Sequence, residues 1–491
     1  MRLLASAFSC CPGHGSEPGV GWNTVEQLSK EHEVWVLVHK GWRGRVEAAL
    51  QAMDVAQHGP LTPALCQPEK NNFAGYLASL GSLNGEGANF VAYRSQTAEQ
   101  SPSPLGRGEG VRGARRETSS GSSHHPNLHF EFVGIPVLSA LAERFPSSGA
   151  VWWLYYYLWQ FAALLHAWRL HQRISFDVCQ HVTFVKYNTP SLLHLLGIPF
   201  IFGPVGGAER APLSFFKEFG GKTWLMEAAR VGLIKAARFD PLLRWCVHRS
   251  ALCLGVTEDT AAELRKLGAK RVEVLPAVAL SDDEIAQITS AKSEGQRAKD
   301  EPLTLLYVGR LIAWKGVHLG LRALARCEDK TLRYRIIGEG PLRVWLEAEA
   351  QCLGIADRVE FCGALPRDQV LQAYAQADGF LYPSLHDSGG NAVIEAMCAG
   401  LPILCLDCGG PGWIVSKECG WKVRAESSAV AVSTLSPALK DFASDQGERL
   451  ARGESAQQRC CKAFRWATRG EALSKMAVEV TKPTMIGHPC Q

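Results

Sequence analysis

The sequence has little net charge and no long uninterrupted apolar run. Its 52 lysine and arginine residues nearly balance 48 aspartate and glutamate residues, so the net charge is +4 over 491 residues. Such a small excess argues against a protein built to bind duplex nucleic acid. An apolar content of 46% and a charged content of 20% are those of a globular protein. A chain of this length exceeds one ordinary core, so two domains are expected.

The 16 cysteines lack the spacing of a metal site or of a disulfide framework. Several lie inside predicted strands, for example Cys253 and Cys405, which indicates reduced, buried thiols of a cytosolic enzyme. Cys405 and Cys408 form one C-x-x-C pair, but no second pair or histidine cluster accompanies it. Zinc and redox chemistry are therefore disfavoured, and no metal site is predicted.

The most apolar segment is AVWWLYYYLWQFAALLHAW, from residue 150 to 168. A membrane span needs about 20 apolar residues, and tryptophan and tyrosine favour interfaces. Arg169, His171 and Arg173 follow the run directly. A helix of the first domain is the favoured interpretation, with a membrane-surface contact or a span as the alternatives.

Composition divides the chain into segments. Residues 1–285 are predicted to be the first domain, interrupted from about 58 to 128 by a Ser-, Gly-, Pro- and Arg-rich stretch that has little to bury and is expected to be disordered. The charged segment 286–302 is predicted to be the linker, and 303–456 the second domain. A helix is expected over 457–480, before a flexible tail from 481 to 491.

The first domain opens with an apolar strand, a loop rich in glycine and proline, a helix and a second strand, VWVLV. This order is the opening of a doubly wound α/β sheet. Gly19 and Gly21 are predicted to precede the helix, where they would approach a phosphate or sugar closely, although turns also use glycine for steric reasons. His181 lies at the end of a later strand, where α/β folds expose residues to ligands.

In the second domain, three turns follow strands at what should be one edge of the sheet. GRLIAWKG supplies Arg310 and Lys315, and IIGEGP supplies Glu339 and Gly340. Two cations near a strand end suit a diphosphate, which needs positive charge and hydrogen-bond donors. The alternative is that both cations are solvated surface charges and that Glu395 pairs with one of them. Three such turns in one domain favour a binding site.

The third turn, HDSGGNAVIE, lies between an apolar strand and a short helix. Ser388, Gly389 and Gly390 precede the helix, whose positive end and unpaired amides suit an anion. Asp387 and Glu395 bracket the turn, with one carboxylate in the loop and the other in the helix. Because a carboxylate accepts two hydrogen bonds, Glu395 suits a ribose diol. The turn is therefore predicted to be half of a nucleotide-sugar site.

The segment from Val308 to Pro411 resembles the nucleotide-sugar domain of family 4 retaining glycosyltransferases, which have the GT-B architecture. GRLIAWKG meets their G-R-L-x-x-x-K-G pattern, and GEGP meets their G-x-G-P turn. Asp387 and Glu395 meet their paired-glutamate motif, with Asp in place of the first Glu. The first domain resembles a branch of that family in GSEPGVGWN, YYYLWQ, HVTFV and PFIFGPVGGAE.

The resemblance implies an α/β fold of two Rossmann-like domains facing across a deep cleft. It implies a retaining hexosyltransferase that moves a sugar from a nucleoside-diphosphate sugar to a hydroxyl of a glycan or glycolipid, in polysaccharide or surface glycoconjugate synthesis. No D-x-D occurs in the chain, which fits the family's usual lack of a metal requirement, and no cofactor is expected. A cytoplasmic enzyme with a peripheral contact to the inner membrane surface, and without a nucleic-acid partner, is expected.

The resemblance also implies roles for the donor-side residues. Arg310, Lys315 and the amides of Gly389 and Gly390 would hold the diphosphate, and Glu395 would bind the ribose hydroxyls.

Other roles follow from the same resemblance. The turn at 338–341 and Phe361 would flank the base. Asp387 would contact hydroxyls of the transferred sugar, and His181 would face that sugar from the first domain. The C-terminal helix would cross back to the first domain, with Trp466 in its packing face.

Two other classes stay open at this point. A nucleotide-dependent dehydrogenase or epimerase needs G-x-G-x-x-G after the first strand and an acidic residue ending the second. The chain has GHGSEPGVG and VHK at these places, which disfavours that class. A non-catalytic nucleotide-sugar binder with a decayed site is the other alternative, since Asp387 departs from the donor motifs.

Overall fold

The structure is a computed structural model of the chain. It describes residues 1–12, 17–56, 126–135, 149–294 and 301–482. The predicted disordered insertion lies outside the described residues except for its end, where Leu128 already begins a strand, and the tail from 483 also lies outside them. Two compact units are distinguished. One comprises Met1–Val46, Asn127–Gly134 and Trp159–Gln491, and the other Glu47–Pro126 and Ile135–Leu158. Both sheets belong to the first unit.

Seven parallel strands form the first sheet, in the order β3-β2-β1-β4-β5-β6-β7. They are β1 (Arg2–Ala7), β2 (Glu33–His39), β3 (Leu128–Val133), β4 (Val178–Thr183), β5 (Phe200–Val205), β6 (Leu252–Gly255) and β7 (Val272–Val274). Every residue of β4 and β5 is buried, as expected for strands covered on both faces. The strand order reverses between β1 and β4, and doubly wound folds bind ligands at such a point.

The helices of this half are α1 (Glu17–Ser29), α2 (Arg43–Ala56), α3 (Gly149–Ile174), α4 (Gly220–Ala236), α5 (Pro241–Arg249) and α6 (Glu258–Lys266). Because α1 begins at Glu17, Gly19 and Gly21 lie inside the helix, and their predicted position before it is wrong. A Cβ on Gly21 would lie 2.3 Å from the Ser9 carbonyl oxygen and 3.0 Å from Thr183 Cγ2. Gly21 thus lets α1 pack closely on the ends of β1 and β4.

The aromatic segment is helix α3. Tyr155, Tyr156 and Trp159 are buried, whereas Phe161, Leu165 and Trp168 on the same helix are more than half exposed. Among the helices of the described ranges, none is long and apolar enough to cross a membrane. The interpretation as a membrane span is therefore wrong, and a membrane-surface contact of α3 stays a prediction.

Six parallel strands form the second sheet, in the order β10-β9-β8-β11-β12-β13. They are β8 (Thr304–Val308), β9 (Arg333–Ile337), β10 (Val359–Gly363), β11 (Gly379–Tyr382), β12 (Ile403–Leu406) and β13 (Gly420–Val423). The order reverses between β8 and β11, which pair side by side. The turns that follow these two strands therefore meet at one edge of the sheet.

The remaining helices are α7 (Asp282–Glu294), α8 (Val317–Arg326), α9 (Arg343–Cys352), α10 (Arg367–Gln376), α11 (Asn391–Cys398), α12 (Gly409–Ile414), α13 (Ser428–Ser444), α14 (Gln446–Ala463) and α15 (Trp466–Thr481). Helix α7 lies where a linker was predicted, and its Ile288 is buried in the core of the second sheet. The single helix predicted over 457–480 is two helices, because the chain turns at Phe464 and Arg465.

Helix α15 packs on the first domain. A Cβ on Gly470 would lie 2.4 Å from Gln27 Cβ of α1, and Ser474 Oγ lies 2.7 Å from His32 Nε2. Trp466, at the first position of α15, is buried. The end of the chain therefore braces α1, whose N-terminus lies near the end of β4.

A segment between β5 and α4 joins the two domains. The 3₁₀ turn Leu213–Phe219 places Phe215 and Phe216 in the core of the second domain. The Phe219 ring lies 4.9 Å from His318 and 5.2 Å from Trp345. This contact holds the two sheets together through an apolar cluster.

Candidate active site

The turns after β8 and β11 bring a cation and a carboxylate together. Lys315 ends the 3₁₀ turn Ala313–Lys315, and Asp387 lies in the loop after β11. The Lys315 ammonium donates hydrogen bonds to the Asp387 carboxylate and, over 2.6 Å, to the Tyr382 hydroxyl. That hydroxyl donates to Asp387 over 2.8 Å. The two charged side chains are only 14% and 19% exposed, so this is a largely buried ion pair that shares a tyrosine.

The surroundings fix the protonation of this cluster. Burial opposes ionisation of Asp387, but the Lys315 ammonium, the Tyr382 hydroxyl and the Gly389 amide hold the pKa of this carboxyl below its usual value. Burial and the charge of Asp387 raise the pKa of the Tyr382 phenol well above its usual value. At neutral pH the cluster therefore contains an ionised carboxylate and a neutral tyrosine.

The loop after Asp387 leads into helix α11. Gly390 is the N-cap residue, with a φ of +103° that favours glycine, and no side chain caps this helix end. The Val393 amide already donates to the Gly390 carbonyl oxygen at 2.9 Å, so the amides of Asn391 and Ala392 are the ones that suit an anion, helped by the helix dipole. The Gly389 amide points to Asp387 Oδ1 at 3.4 Å. Ser388 lies against the first domain, because a Cβ on Gly206 would be 3.3 Å from the Ser388 Cβ.

The second carboxylate has its own cation. Glu395, on α11, accepts a hydrogen bond from Arg367 Nη1 at 2.8 Å, and its side chain is 14% exposed. The alternative that Glu395 pairs with Arg310 or Lys315 is therefore wrong. Arg367 opens α10 and was missed, because it lies far from Glu395 in sequence and belongs to no recognised motif.

Arg310 lies on the turn after β8, and Gly340 lies on the neighbouring turn after β9. Arg310 is exposed, and its side chain has no ion-pair partner within the described ranges. Its carbonyl oxygen accepts a hydrogen bond from the Tyr307 hydroxyl at 3.0 Å. A Cβ on Gly340 would lie 2.3 Å from the Leu311 carbonyl oxygen, so only glycine allows the turns after β8 and β9 to approach this closely.

Glu339 and Phe361, two further predicted donor residues, both contact Arg343. Glu339 forms an ion pair with Arg343 of α9. Arg343 Nη2 also donates to the carbonyl oxygen of Phe361 on β10, at 3.3 Å. Arg343 therefore ties the ends of β9 and β10 together, and Glu339 is engaged on the protein.

His181 lies on β4 beside Ser6 of β1, at the switch point of the first sheet. It is fully buried, and burial lowers its pKa to about 4, so the ring is neutral at pH 7. Nε2 lies 3.2 Å from the Phe184 carbonyl oxygen, and Nδ1 has no partner among the described residues. A proton on Nε2 leaves Nδ1 as an acceptor. Its role towards a donor sugar stays a prediction.

Glu17 is a further residue of this region that was not singled out from the sequence. Its carboxylate accepts hydrogen bonds from the amides of Phe184 and Val185, the latter at 3.0 Å. Phe184 has a φ of +75°, which is strained for a residue with a side chain. Burial raises the pKa of Glu17, despite those amides and the nearby Lys186 ammonium. Glu17 thus holds the loop that follows His181, and it lies within the GSEPGVGWN segment.

The residue before Asp387 contacts the first domain. His386 Nε2 lies 3.5 Å from Glu227 Oε2 on α4, and the Trp314 ring stacks on His386 at 5.5 Å. Arg230 donates to Glu227 over 2.6 Å. Burial opposes ionisation of Glu227, but His386 and Arg230 lower its pKa to about 2. An ionised group of the first domain therefore contacts the loop that carries Asp387.

Solved structures share this fold. The lipopolysaccharide outer core galactosyltransferase WaaB aligns over 98% of this chain and 100% of its own, with a TM-score of 0.53 and 12% identity. HepE from Anabaena, solved in complex with UDP, aligns over the same shares with a TM-score of 0.51 and 13% identity. At such identities the likeness shows the fold alone. The fold is the GT-B arrangement of two Rossmann-like α/β domains.

Sequence comparison identifies the second domain. Residues 289–459 match the model of the family Glycosyl transferases group 1. This part of the chain is therefore a glycosyl transferases group 1 domain of the GT-B superfamily. The match includes Lys315, Asp387 and Glu395.

Curated relatives match less than half of this chain. The 2-deoxystreptamine glucosyltransferase of Streptomyces kanamyceticus is 32% identical over 178 residues, which are 34% of this chain and 45% of the relative. The putative colanic acid biosynthesis glycosyltransferase WcaL of Escherichia coli (strain K12) is 27% identical over 217 residues, 42% of this chain and 52% of the relative. The chain thus spans about half the length of the curated relatives it matches.

Proposed function

We propose that the chain is a family 4 retaining glycosyltransferase that moves a hexose-type sugar from a nucleoside-diphosphate sugar to a hydroxyl of a glycan or glycolipid acceptor. The meeting of Lys315 and Asp387 at the switch point of the second sheet carries this proposal. It puts a cation, a carboxylate and an uncapped helix end at the sheet edge where such folds bind nucleotides. Relatives named as colanic acid and lipopolysaccharide core biosynthesis glycosyltransferases support a place in polysaccharide or surface glycoconjugate synthesis.

In this proposal the cations bind the diphosphate of the donor, and the carboxylates bind its hydroxyl groups. Arg310, Lys315 and the first-turn amides of α11 bind the diphosphate. Lys315 then divides its hydrogen bonds between the diphosphate and Asp387. Glu395, oriented by Arg367, accepts hydrogen bonds from the ribose hydroxyls. Asp387 then accepts hydrogen bonds from hydroxyls of the transferred sugar.

Transfer follows from stabilisation of the leaving group. The acceptor oxygen bonds to the anomeric carbon as the bond from that carbon to the diphosphate breaks, on the same face of the sugar. The acceptor proton passes to a diphosphate oxygen, and the nucleoside diphosphate leaves. Fixed positive charge from Arg310, Lys315 and the end of α11 stabilises the charge that develops on the diphosphate. Neutral His181, whose buried Nδ1 has no partner among the described residues, is proposed to accept a hydrogen bond from the sugar. No metal ion or cofactor enters this scheme.

We also propose a cytoplasmic location with peripheral contact to the inner membrane surface, because a lipid-linked acceptor is presented there. The near-zero overall charge balance gives no reason to propose a nucleic-acid partner.

A donor screen tests the proposal. Melting temperature and donor hydrolysis are measured with UDP-, GDP- and ADP-sugars, and we expect one base to stabilise the protein and one sugar to be turned over. Proton NMR of the first product should show the donor's anomeric configuration, and EDTA should not abolish turnover. An inverted product contradicts the retaining mechanism, and stabilisation without any turnover identifies a non-catalytic binder instead. No response to any nucleotide sugar rejects the site.

A further inference from the structure

Helix α4 has an exposed apolar face. Its buried side carries Glu227 and Ile234, while Leu225 and Leu233 on the opposite side are 63% and 66% exposed. Small exposed residues at 229, 232 and 236 continue this face at helical spacing. Leucines exposed to this degree on one helix face indicate a surface that meets another apolar phase.

The same surface features continue beyond α4. Phe239, in the turn between α4 and α5, is 81% exposed. Leu242 and Trp245, one turn apart on α5, are 50% and 45% exposed. We refer to the exposed side chains Leu225, Leu233, Phe239, Leu242 and Trp245 as the α4–α5 surface.

This surface is strongly basic. The basic side chains of residues 217–249 are Lys217, Lys222, Arg230, Lys235, Arg238, Arg244 and Arg249, and the acidic ones are Glu218, Glu227 and Asp240. Arg230 pairs with Glu227 and Arg238 pairs with Glu263, so these two arginines add no free positive charge to the surface. Lys222 and Lys235 are exposed, and neither has an acidic partner within the part of the chain that the structure describes.

We propose that the α4–α5 surface binds the face of a bilayer that contains anionic lipids. Basic side chains attract the headgroups, and the exposed leucine and aromatic side chains enter the boundary between headgroups and acyl chains. A second copy of the chain fits poorly, because pairing this face with itself brings the exposed Lys222 and Lys235 of two copies together. The inference builds on the proposed peripheral membrane contact and assigns it to one surface.

Helix α3 offers the competing surface. Phe161, Leu165 and Trp168 lie on one face of it and are 57%, 58% and 52% exposed. Its basic residues Arg169 and Arg173 lie only at its C-terminal end, after the apolar face. On α4, by contrast, Lys222 lies within the apolar face and Lys235 lies at its edge, which is the pattern of a helix lying on an anionic membrane.

Vesicle sedimentation of the full chain tests this inference without requiring transfer activity. We expect the wild type to bind vesicles of phosphatidylcholine and phosphatidylglycerol at low salt and to lose most of that binding on pure phosphatidylcholine. Lys222→Glu with Lys235→Glu should lower the partition coefficient roughly 25-fold or more, because each basic residue near an anionic surface is worth a factor of about five. Phe239→Ser with Leu242→Ser should lower it at least about 10-fold with the charge unchanged.

Leu165→Ser with Trp168→Ser on α3 is the matched control and should bind vesicles like the wild type. Binding that is lost in the α3 variant and kept in both α4–α5 variants would overturn the assignment, and so would equal binding to neutral vesicles. A dimer in solution that Phe239→Ser dissociates, without vesicle binding, would replace the membrane by a second copy. Melting temperatures and donor-nucleotide binding of all variants should match the wild type, so loss of donor binding would be a separate failure of the proposed function.

Discussion

The two carboxylates of the candidate site depend on different cations, and this separates their roles. Asp387 is held by Lys315, which lies across the switch point of the sheet, whereas Glu395 is held by Arg367 from a neighbouring helix. In the proposed donor complex, a diphosphate would compete with Asp387 for Lys315, and the charge around Asp387 would change. Glu395 would keep Arg367 as its partner while it binds the ribose.

Replacing Lys315 by Met should weaken nucleoside diphosphate binding and destabilise the protein. The change leaves the largely buried Asp387 carboxylate without its cation, which costs on the order of 3 kcal/mol. Without the cation, burial raises the pKa of Asp387 above its value in the unfolded chain. The folded variant then binds more protons than the unfolded state, so it loses stability relative to the wild type as the pH rises from 5 to 7.5. Urea unfolding at the two pH values and calorimetric titration with the diphosphate measure both effects.

The second sheet provides a matched control for Lys315. Lys422 Nζ, on β13, lies 3.0 Å from Asp407 Oδ1, which follows β12, and neither residue belongs to the proposed donor site. Lys422→Met should leave diphosphate binding unchanged. Asp387→Asn added to Lys315→Met should restore most of the stability. If Lys422→Met weakens binding as much as Lys315→Met, the charge effect is general and the site assignment fails.

Glu395→Gln should remove the preference for a ribose diol. A hydrogen bond to a charged group is worth about 1.5–3 kcal/mol, so affinity for the nucleoside diphosphate should fall roughly 10- to 100-fold. The 2′-deoxy nucleotide, which already lacks one of the hydroxyls, should lose much less. Titration of both nucleotides into the wild type and the variant gives the comparison, and an equal loss for the two would show that Glu395 does not contact the ribose.

The sequence indicated Lys315, Asp387 and Glu395 because each lies in a motif whose spacing has a chemical reason. It did not indicate Arg367 or Tyr382, which share no local pattern with the carboxylates that they contact. Arg367 lies 28 residues from Glu395 and reaches it only in the folded chain, whereas Tyr382 lies five residues before Asp387, at the end of a buried apolar strand. Single-residue roles are therefore easier to predict than the contacts that set their charge.

At the scale of an element, glycines also show that the sequence can indicate a residue without indicating its contacts. Gly21 was predicted as a loop glycine, but it lies inside α1, where close helix packing requires a glycine; its contact with a donor stays a prediction. Gly21→Ala should destabilise the protein by about 1–3 kcal/mol, since the added methyl group clashes with Ser9 and α1 must shift. Urea unfolding measures this loss, while donor affinity should change little in the folded variant.

Gly44 is the matched helical glycine, because an added Cβ there meets nothing within 4 Å. Gly44→Ala on α2 should be neutral or more stable by up to about 1 kcal/mol, as helix propensity predicts. Should Gly21→Ala keep its stability and lose donor affinity, the original functional interpretation of Gly21 would return.

Two helices show which signals a sequence contains and which it does not. Helix α7 was missed, although Ser281 and Glu284 form a reciprocal capping box, with the Ser281 amide donating to Glu284 at 2.8 Å. That signal was present in the charged stretch and was outweighed by its composition. The break at Phe464 and Arg465 had no such signal, because there the Leu280 backbone pairs with both Phe464 and Trp466.

At the scale of the whole molecule, buried neutral histidines make the fold sensitive to acid. Burial lowers the pKa of His39 and His181 to about 4 and that of His318 to about 3. His318 packs between the two domains, where the charges that face it are Arg322 and Glu218. An unfolded chain protonates all three near pH 6.5, before the folded protein does.

Stability should therefore fall as the pH drops below about 6.5 and keep falling to about pH 4, because the unfolded state binds more protons throughout that interval. Each histidine contributes about 1 kcal/mol of this loss at pH 5.5, so three together cost about 3–4 kcal/mol. Carboxylates with lowered pKa, such as Glu227 at about 2, add to the loss only at lower pH. Urea unfolding at pH 7.5 and 5.5 measures the difference, and His318→Leu should reduce it by about a third. A loss of the same size in that variant would show that the domain contact does not supply part of the acid sensitivity.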